Sequence, residues 1–194
     1  MRKIRALWPR SAFLTEDETD LLLFPPLRAG WSLRGQSAEV RLSGWNARRV
    51  IFGAMNLRTG SRLFLAGERQ KAEDFQEFLD LIHHYYRGWH VALLLDEDPS
   101  HTAADSVELA WEYNMDLLWL PKRCPELNPI DTLWGQGKDL INANKQYATI
   151  DDQVDRFLDY LASLSRQGAL HTAGVLSGHF WLKDALSKDF CGPA

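Results

Sequence analysis

The sequence predicts an α/β fold in which a mixed five-stranded sheet is flanked by helices. Two observations support this prediction: the first 70 residues contain three strand-like segments separated by turn residues, and from residue 71 helical segments alternate with two short apolar runs. An antiparallel meander followed by helical crossovers gives a mixed sheet with helices on both faces. The 194 residues, 45% of them apolar, suit a single domain over residues 1–194.

The predicted meander lies within residues 11–68. The segment SAFLTEDETDLLLF alternates in polarity and stops at two prolines, as expected for a strand. GWSLRGQ is bounded by glycines and is either a loop or a short strand. In NARRVIFGAMNLRTGSRLFLAGE, two apolar runs flank NLRTGS, whose glycine is typical of a hairpin turn.

The apolar period becomes helical at residue 71. In KAEDFQEFLDLIHHYYRGW the apolar residues are three and four positions apart, which predicts an amphipathic helix ending at Gly88. HVALLLDED and MDLLWLP are continuous apolar runs, typical of strands that are buried on both faces. Between them, SHTAADSVELAWEYN predicts a helix with Ser100 or Thr102 near its N-cap.

Three more helices are predicted after the fifth strand. NPIDTLWGQGKDLINAN opens with Asn128 and Pro129, a favourable pair for the N-cap and the first helical position. TIDDQVDRFLDYLASLSRQ begins with Thr149 and Asp152, which resemble a capping box, and keeps a 3.6-residue period. The tail HFWLKDALSKDF is expected to form one last helix.

Membrane proteins and disulfide scaffolds are excluded by the composition. No apolar run approaches the roughly 20 residues that span a bilayer. The basic N-terminus lacks the long apolar region and the cleavage site of a signal peptide. Cys124 and Cys191 form neither a disulfide framework nor a metal-ligand pattern. We therefore expect a cytoplasmic protein with reduced thiols.

Charge is distributed unevenly along the chain, although the net charge is only −4. Residues 1–70 carry 12 Lys and Arg against 6 Asp and Glu, whereas residues 71–194 carry 10 against 20. A basic first third could supply a face that binds phosphate. The alternative, that charge simply fluctuates along the chain, fits these numbers equally well.

Three carboxylates lie where predicted strands and helices end. Asp17 is on the first strand, on the opposite face from Glu16 and Glu18. Asp96 ends the fourth strand, and Asp131 opens the helix after the fifth. If the first and fourth strands are neighbours, the three aspartates converge. Such ligands favour Mg²⁺ or Mn²⁺, and two ions about 3.5–4 Å apart can catalyse phosphoryl transfer. The alternative is a set of surface carboxylates and helix-dipole partners.

Three blocks of sequence resemble a known family. They are EDETDLLLFPPLRAGWSLRGQ, LLLDEDPSH and LPKRCPELNPIDTLW, and 34 residues separate Asp96 from Asp131. In these features residues 10–145 resemble the catalytic domain of mariner-type insertion-sequence transposases, DDE superfamily endonucleases with a ribonuclease-H-like core. The resemblance implies that Asp17, Asp96 and Asp131 are catalytic and bind Mg²⁺ or Mn²⁺, with two ions. The implied function is metal-dependent DNA strand cleavage and strand transfer in transposition.

The sequence departs from the family's pattern at two positions. Asp131 stands where many members have Glu, although the mariner branch also uses Asp. Glu97 follows Asp96 where Asn is usual, which adds a charge beside the expected metal ions. One alternative is therefore a weakened or inactive remnant that at most binds nucleic acid. Another is a structure-selective nuclease of the same fold. Glu18 and Glu97 are candidate auxiliary ligands.

The resemblance also implies partners. The expected partner is DNA, as transposon ends and as target, in a bacterial cytoplasm and associated with the nucleoid. The active form is expected to be a homodimer. The family's N-terminal helix-turn-helix domain is absent from this sequence, so we expect either a separate chain that supplies it or a truncated element.

Several basic side chains are candidates for contacts with DNA. Arginine suits phosphate geometry, but exposed arginines are common in proteins, and a lysine or a histidine at a helix start can be structural. Three tryptophans, Trp31, Trp119 and Trp134, are expected in the core rather than stacked on bases. The candidate DNA contacts are Arg28, Arg34, Arg48, Arg49, His101 and Lys138.

Overall fold

The computed structural model describes residues 10–37 and 39–186, which form one sheet covered by helices. No helix in these ranges is long and apolar enough to cross a membrane. The strands are β1 (Ser11–Leu22), β2 (Arg48–Asn56), β3 (Arg62–Gly67), β4 (His90–Leu95) and β5 (Met115–Trp119). The α-helices are α1 (Ala72–Tyr85), α2 (Pro99–Thr102), α3 (Ala104–Glu112), α4 (Pro129–Gly137), α5 (Ile150–Ser163), α6 (Arg166–Thr172) and α7 (Lys183–Leu186).

β1 is the central strand of the sheet. The strand order is β3-β2-β1-β4-β5. β1 pairs with β2 and β2 with β3 in antiparallel fashion, whereas β4 is parallel to both β1 and β5. The predicted mixed five-stranded sheet is therefore confirmed, and the first and fourth strands are neighbours. Their register pairs Thr15 with Leu94, so its continuation brings Asp17 level with Asp96.

Two apolar layers attach the helices to the sheet. Because successive side chains of a strand point to opposite faces, alternate residues of β1 and β2 contribute to each layer. One layer packs against α1 and α3, and the other packs against α4, α5 and α6. The first layer includes Leu14, Phe52, Phe75, Phe78 and Leu79. The second layer includes Phe13, Ile51, Leu133, Trp134 and Phe157.

The long helices begin at the caps that the sequence predicts, with one exception. The Asn128 side chain accepts from the backbone N–H two residues on, and Thr149 accepts from the N–H three residues on. The prediction that Ser100 or Thr102 caps the helix after β4 is wrong. Asp98 is the cap, because its carboxylate accepts from the Ser100 N–H at 2.8 Å.

Two helices predicted as continuous are broken. The helix predicted over 100–114 is divided into α2 and α3, because Ala103 has an extended ψ of 137°. The helix predicted over 149–167 ends with α5, and Ser165 caps a new helix, α6, by accepting from a backbone N–H three residues on. A third predicted helix changes at its end, where α4 continues as a π-helical turn over Lys138–Asn142.

The prediction that β5 is buried on both faces is wrong. Met115 is buried, but Trp119 is 39% exposed. β5 is an edge strand: among the described residues, no strand pairs with its outer side. Residues 30–36 belong to an irregular connection between β1 and β2 and not to a strand. The last predicted helix is reduced to α7, and Cys191 lies outside the described residues.

Replacing Gly60 by Ala is expected to destabilise the fold by about 2 kcal/mol or more. Gly60 has a φ of +70° in the β2–β3 turn, a conformation that costs an L-residue about 1–2 kcal/mol. A Cβ here would also lie 2.2 Å from the carbonyl oxygen of Arg166. Urea unfolding measures the loss. The control is Gly88→Ala, where φ is +78° and nothing lies within 4 Å of a Cβ. Equal losses in the two variants would contradict the role of the Arg166 contact.

Candidate metal centre

Asp17, Asp96 and Asp131 line one cavity of about 480 Å³. Asp17 lies on β1, Asp96 directly follows β4, and Asp131 lies in the first turn of α4. Because β1 and β4 are parallel neighbours, the first two carboxylates reach the same edge of the sheet. The structure thus brings together the three residues that the sequence selected, and Glu18 and Glu97 also line the cavity.

Asn128 fixes the start of α4 against β1. Its side-chain oxygen accepts a hydrogen bond from the Thr15 hydroxyl at 2.5 Å. Its amide nitrogen donates to the backbone carbonyl of Glu16 at 2.7 Å. Both bonds are buried, so they are not exchanged for bonds to water. Asp131, three residues after this anchor, is consequently held at a set distance from the carboxylates of the sheet.

Asp17 is surrounded by other carboxylates. Its Oδ2 accepts a hydrogen bond from Nε1 of Trp134 at 3.1 Å. Burial, followed by the charges of Glu18, Asp131 and Asp96, raises the pKa of Asp17 to about 7. The ionised carboxylate of Asp17 is therefore repelled by its neighbours, and a cation in the cavity would offset this repulsion.

His101 is a buried cation between Asp96 and the glutamates of β1. Its Nδ1 lies 3.1 Å from Oδ1 of Asp96, and its Nε2 lies 2.9 Å from Oε1 of Glu18 and 3.6 Å from Oε2 of Glu16. Burial lowers the pKa of His101, but the carboxylates of Glu16, Asp96 and Glu18 outweigh it and raise the pKa to about 12. The hydrogen bond from His101 lowers the pKa of Asp96.

The position of His101 corrects its assignment as a DNA contact. Only 1% of the residue is exposed, so the ring cannot reach a phosphate outside the protein. Its ring instead contacts the carboxylates of Asp96 and Glu18, as expected of a residue that orients its neighbours. The prediction missed this location because the three carboxylates around the ring lie 5 to 85 positions away in the sequence.

Glu16 is a further feature that sequence reasoning did not select. It is fully buried, and neither of its carboxylate oxygens has a hydrogen bond. Burial, then the charge of Glu18, raises its pKa well above the ordinary value. Ligand atoms of Glu16, Glu18 and His101 lie within 4.8 Å of one another, and the protonated His101 ring supplies the positive charge between the two carboxylates. The available signal was a charged residue that follows two apolar residues, Ala12 and Leu14, on the same face of the strand.

Comparison with known proteins shows to which family the chain belongs. Residues 13–153 match the family model described as DDE superfamily endonuclease. The chain belongs to this family. The matched residues include all three aspartates of the cavity, and they extend from β1 into α5.

Relatives of this DDE endonuclease chain include two bacterial proteins. The insertion element IS630 uncharacterized 39 kDa protein of Shigella sonnei is 25% identical over 152 residues, which are 77% of this chain and 44% of the relative. Protein y4pE/y4sA of Sinorhizobium fredii is 32% identical over 105 residues, which are 54% of this chain and 76% of the relative.

A solved structure confirms the ribonuclease-H-like fold of the DDE endonuclease chain. The mariner Mos1 paired end complex with Mg matches with a TM-score of 0.69 and 17% identity, over 94% of this chain and 57% of the Mos1 chain. At this level of identity the similarity concerns the fold. The chain spans less than two thirds of the length of both the IS630 relative and the Mos1 protein.

The arginines proposed as DNA contacts lie outside the cavity lining. Three of them are paired with carboxylates, at distances of 2.8, 2.8 and 2.9 Å. Arg34 is exposed in the connection between β1 and β2. Exposed pairs of this kind are weak and can exchange for phosphate, so their contact with DNA stays a prediction. The three ion pairs are Arg28–Asp139, Arg48–Asp20 and Arg49–Asp151.

Lys138 caps the C-terminal end of α4 and lies near carboxylates of the cavity. Burial lowers its pKa, and the charges of Asp20, Asp131 and Asp17 oppose that shift. Lys138 is half-buried, and its contact with DNA stays a prediction.

Two cations in the cavity wall were missed by the sequence reasoning. Lys122 and Arg123 also line the cavity, and they lie in the segment between β5 and α4. Lys122 Nζ lies 3.0 Å from Oε2 of Glu97. Arg123 is held at a positive φ of 61°. The signal was in the third block, where the two basic residues occupy the link between Leu-Pro and Pro-Glu-Leu-Asn-Pro.

The three tryptophans that the sequence placed in the core differ in burial. Trp134 is in the core, as predicted, with 1% of its surface exposed. Trp31 is fully exposed and Trp119 is partly exposed, so the prediction that they are core residues is wrong. Trp31 lies in the irregular connection after β1, and Trp119 lies at the end of an edge strand, so neither has a second layer to pack against.

Proposed function

We propose that this chain carries the catalytic centre of a transposase that cleaves DNA strands and joins them to a target. The observation that supports the proposal most directly is the convergence of Asp17, Asp96 and Asp131 on one cavity. Their arrangement follows from the parallel pairing of β1 with β4 and from the Asn128 anchor of α4. Membership of a family of DDE endonucleases and the fold shared with the Mos1 paired end complex support the same reaction class.

The donor set of the cavity fits Mg²⁺ or Mn²⁺. Carboxylate oxygens are the ligands that these hard cations prefer. The raised pKa of Asp17 indicates negative charge that a divalent cation would balance. Mos1 has been solved with Mg and with Mn, and we propose the same cofactors here, with two ions held by Asp17, Asp96 and Asp131. Bound ions would activate the attacking oxygen and stabilise charge on the leaving oxygen.

The proposed reaction has two phosphoryl-transfer steps. In the first, water attacks a phosphorus atom of the DNA backbone, and the bond to the 3′ oxygen breaks to leave a free 3′-hydroxyl. In the second, that hydroxyl attacks a phosphorus atom of target DNA, and the 3′ oxygen of the target strand leaves with a proton. The three aspartates would hold the ions that align the reacting groups, and Lys122 and Arg123, which also line the cavity, would contact backbone phosphates. No covalent bond to the protein forms.

The proposal includes several partners. Transposon ends and target DNA are the proposed substrates, in a bacterial cytoplasm and near the nucleoid. We also propose a homodimer as the active form and a helix-turn-helix domain, on another chain or segment, for recognition of the ends. The arginines and Lys138 are proposed to contact DNA outside the cavity. The arginines are Arg28, Arg34, Arg48 and Arg49.

Mn²⁺ is expected to stabilise the wild-type chain but not the Asp96→Ala variant. At a free Mn²⁺ concentration 100 times Kd, binding should raise the free energy of unfolding by about 2.7 kcal/mol by mass action. Thermal unfolding with and without Mn²⁺ measures the effect. Glu112→Ala, which removes an exposed carboxylate from α3, is the matched control and should respond like wild type. An equal Mn²⁺ response in Asp96→Ala would place the ion elsewhere.

DNA cleavage separates the transposase proposal from a binding remnant. The wild-type chain is incubated with supercoiled plasmid and Mn²⁺ or Mg²⁺, and nicked product is measured against a sample with EDTA. Metal-dependent nicking supports the proposal. Mn²⁺ binding without nicking, on plasmid and on branched DNA alike, would favour the remnant, for which the additional carboxylate of Glu97 in the cavity is the structural indication. Nicking of branched DNA alone would favour a structure-selective nuclease.

A further inference from the structure

We infer that Trp134 and Gly53 form a positioning pair that fixes the carboxylate of Asp17 for metal binding. This inference rests on the proposed function, because Asp17 is taken to be a metal ligand. Trp134 lies three residues after Asp131 on α4, and its indole N–H donates to Oδ2 of Asp17 at 3.1 Å. The same helix therefore carries one proposed ligand and holds a second in place.

Gly53 provides the space that this arrangement needs. It lies on β2 directly opposite Asp17 in the antiparallel register. A Cβ at this position would lie 2.3 Å from Cη2 and 2.6 Å from Cζ2 of the Trp134 ring. Only a residue without a side chain lets the indole approach the β2 backbone so closely. The hydrogen bond from Trp134 to Asp17 therefore depends on Gly53, and the arrangement joins β1, β2 and α4.

The Trp134 ring has little freedom to move. Phe64 of β3 and Phe157 of α5 flank it, with ring centroids 5.8 and 6.2 Å away. The side chain is 1% exposed. Rings packed in a core keep one rotamer, so the direction of the indole N–H is fixed. An indole donates one hydrogen bond, accepts none and does not ionise, so the donor for Asp17 is present at every pH.

Asp17 needs such a constraint because its neighbours repel it. Glu18, Asp131 and Asp96 all place negative charge near its carboxylate. Without a fixed donor, the carboxylate would turn away from Asp96 and Asp131, and a metal ion would have to bring it back on binding. Partners that orient metal ligands in this way typically change metal affinity or activity about 10–100-fold when they are lost.

The test measures Mn²⁺ affinity by calorimetry in wild type, Trp134→Phe and Gly53→Ala. Trp134→Phe removes the donor and keeps an aromatic ring, and we expect affinity to fall about 10-fold to 100-fold. Gly53→Ala keeps the donor but displaces the ring, and affinity should fall in the same direction. Gly53→Ala should lower the Mn²⁺ affinity less in the Trp134→Phe variant than in wild type, because the smaller phenyl ring avoids the new methyl group. Trp111→Phe, which changes an exposed ring on α3, is the matched control.

A spectroscopic readout distinguishes positioning from core packing. In protein labelled with ¹⁵N-tryptophan, the Trp134 indole signal is identified by its absence in Trp134→Phe. Mg²⁺ should shift this signal, because its acceptor is a carboxylate that binds the ion, and should leave the Trp111 signal unchanged. Circular dichroism confirms that each variant is folded at the temperature of measurement.

The possible outcomes separate this inference from the proposed function. If wild type binds Mn²⁺ and Trp134→Phe binds it equally well, or if Mg²⁺ leaves the Trp134 signal unchanged, the positioning pair is refuted and the metal site stands. If wild type binds no Mn²⁺, the metal site of the proposed function is refuted, and the positioning pair is refuted with it.

Discussion

Asp131→Asn is expected to lower the rate of metal-dependent DNA cleavage by more than about 100-fold. Removing a residue that hydrogen-bonds to a metal ligand typically lowers metal affinity or activity about 10–100-fold, so removing a ligand itself should lower activity more. The substitution keeps the size of the side chain and its place in the first turn of α4, and it removes the charge that would balance the metal ions. Initial rates of nicking on supercoiled plasmid, with Mn²⁺ in excess, measure the effect.

Asp131→Glu is the matched control for this prediction. It keeps the carboxylate, and Asp131 is exposed at the cavity edge, so a longer side chain has room to adjust. Members of the family that residues 10–145 resemble often carry Glu at this position. We expect at least about tenfold more cleavage than in the Asn variant, since a retained carboxylate still coordinates. Full activity in Asp131→Asn would exclude Asp131 as a ligand, and equal inactivity of both variants would show that the site requires the shorter side chain.

His101→Ala is expected to destabilise the chain by about 3–5 kcal/mol, the range for breaking a buried ion pair by removing one partner. The substitution leaves Glu16 and Glu18 buried without their cation and removes the hydrogen bond to Asp96. Urea unfolding in EDTA at neutral pH measures the loss. Lys122→Ala is the matched control: it removes an exposed cation that is paired with Glu97, and it should cost less than about 1 kcal/mol. An equally small loss in His101→Ala would contradict a cationic His101.

The pH dependence of unfolding tests the same charge. The pKa of His101 is raised to about 12 in the folded chain, against about 6.5 in an unfolded one. Its contribution to stability is therefore complete below about pH 6.5 and is lost as the pH rises toward 12. Between about pH 7.5 and 9.5 His101 holds one more proton in the native state than in the unfolded state, so its contribution to stability should fall by up to about 1.4 kcal/mol per pH unit. His101→Ala should lack this slope.

The sheet could be predicted because its signals are local. Alternating polarity in residues 11–24, the glycine turn before β3 and the apolar run of β4 are each visible within a dozen residues. The aspartates were predictable for a related reason, since Asp96 and Asp131 stand at an end of such a signal and Asp17 interrupts one. Their convergence required one further condition, that β1 and β4 are neighbours, which the parallel pairing fulfils.

The features that sequence reasoning missed depend on residues far apart in the chain. β5 is as apolar as β4, and its exposure follows from its place at the edge of the sheet. The burial of His101 depends on Glu16 and Glu18, more than 80 residues earlier. The hydrogen bond from Trp134 to Asp17 requires both the register of β1 and the tilt of α4. Periodicity describes an element but does not determine its neighbours.

Because Asn128 anchors the start of α4 to β1, the position of Asp131 does not depend on the length of the segment before α4. Residues 120–127 join β5 to α4, yet α4 starts where Asn128 bonds to Thr15 and to the Glu16 carbonyl. Insertions, deletions or grafted loops in this segment should therefore remodel the wall that carries Lys122 without displacing Asp131. Divergence of this connector between related elements could thus alter which DNA is accepted while the chemistry is inherited unchanged.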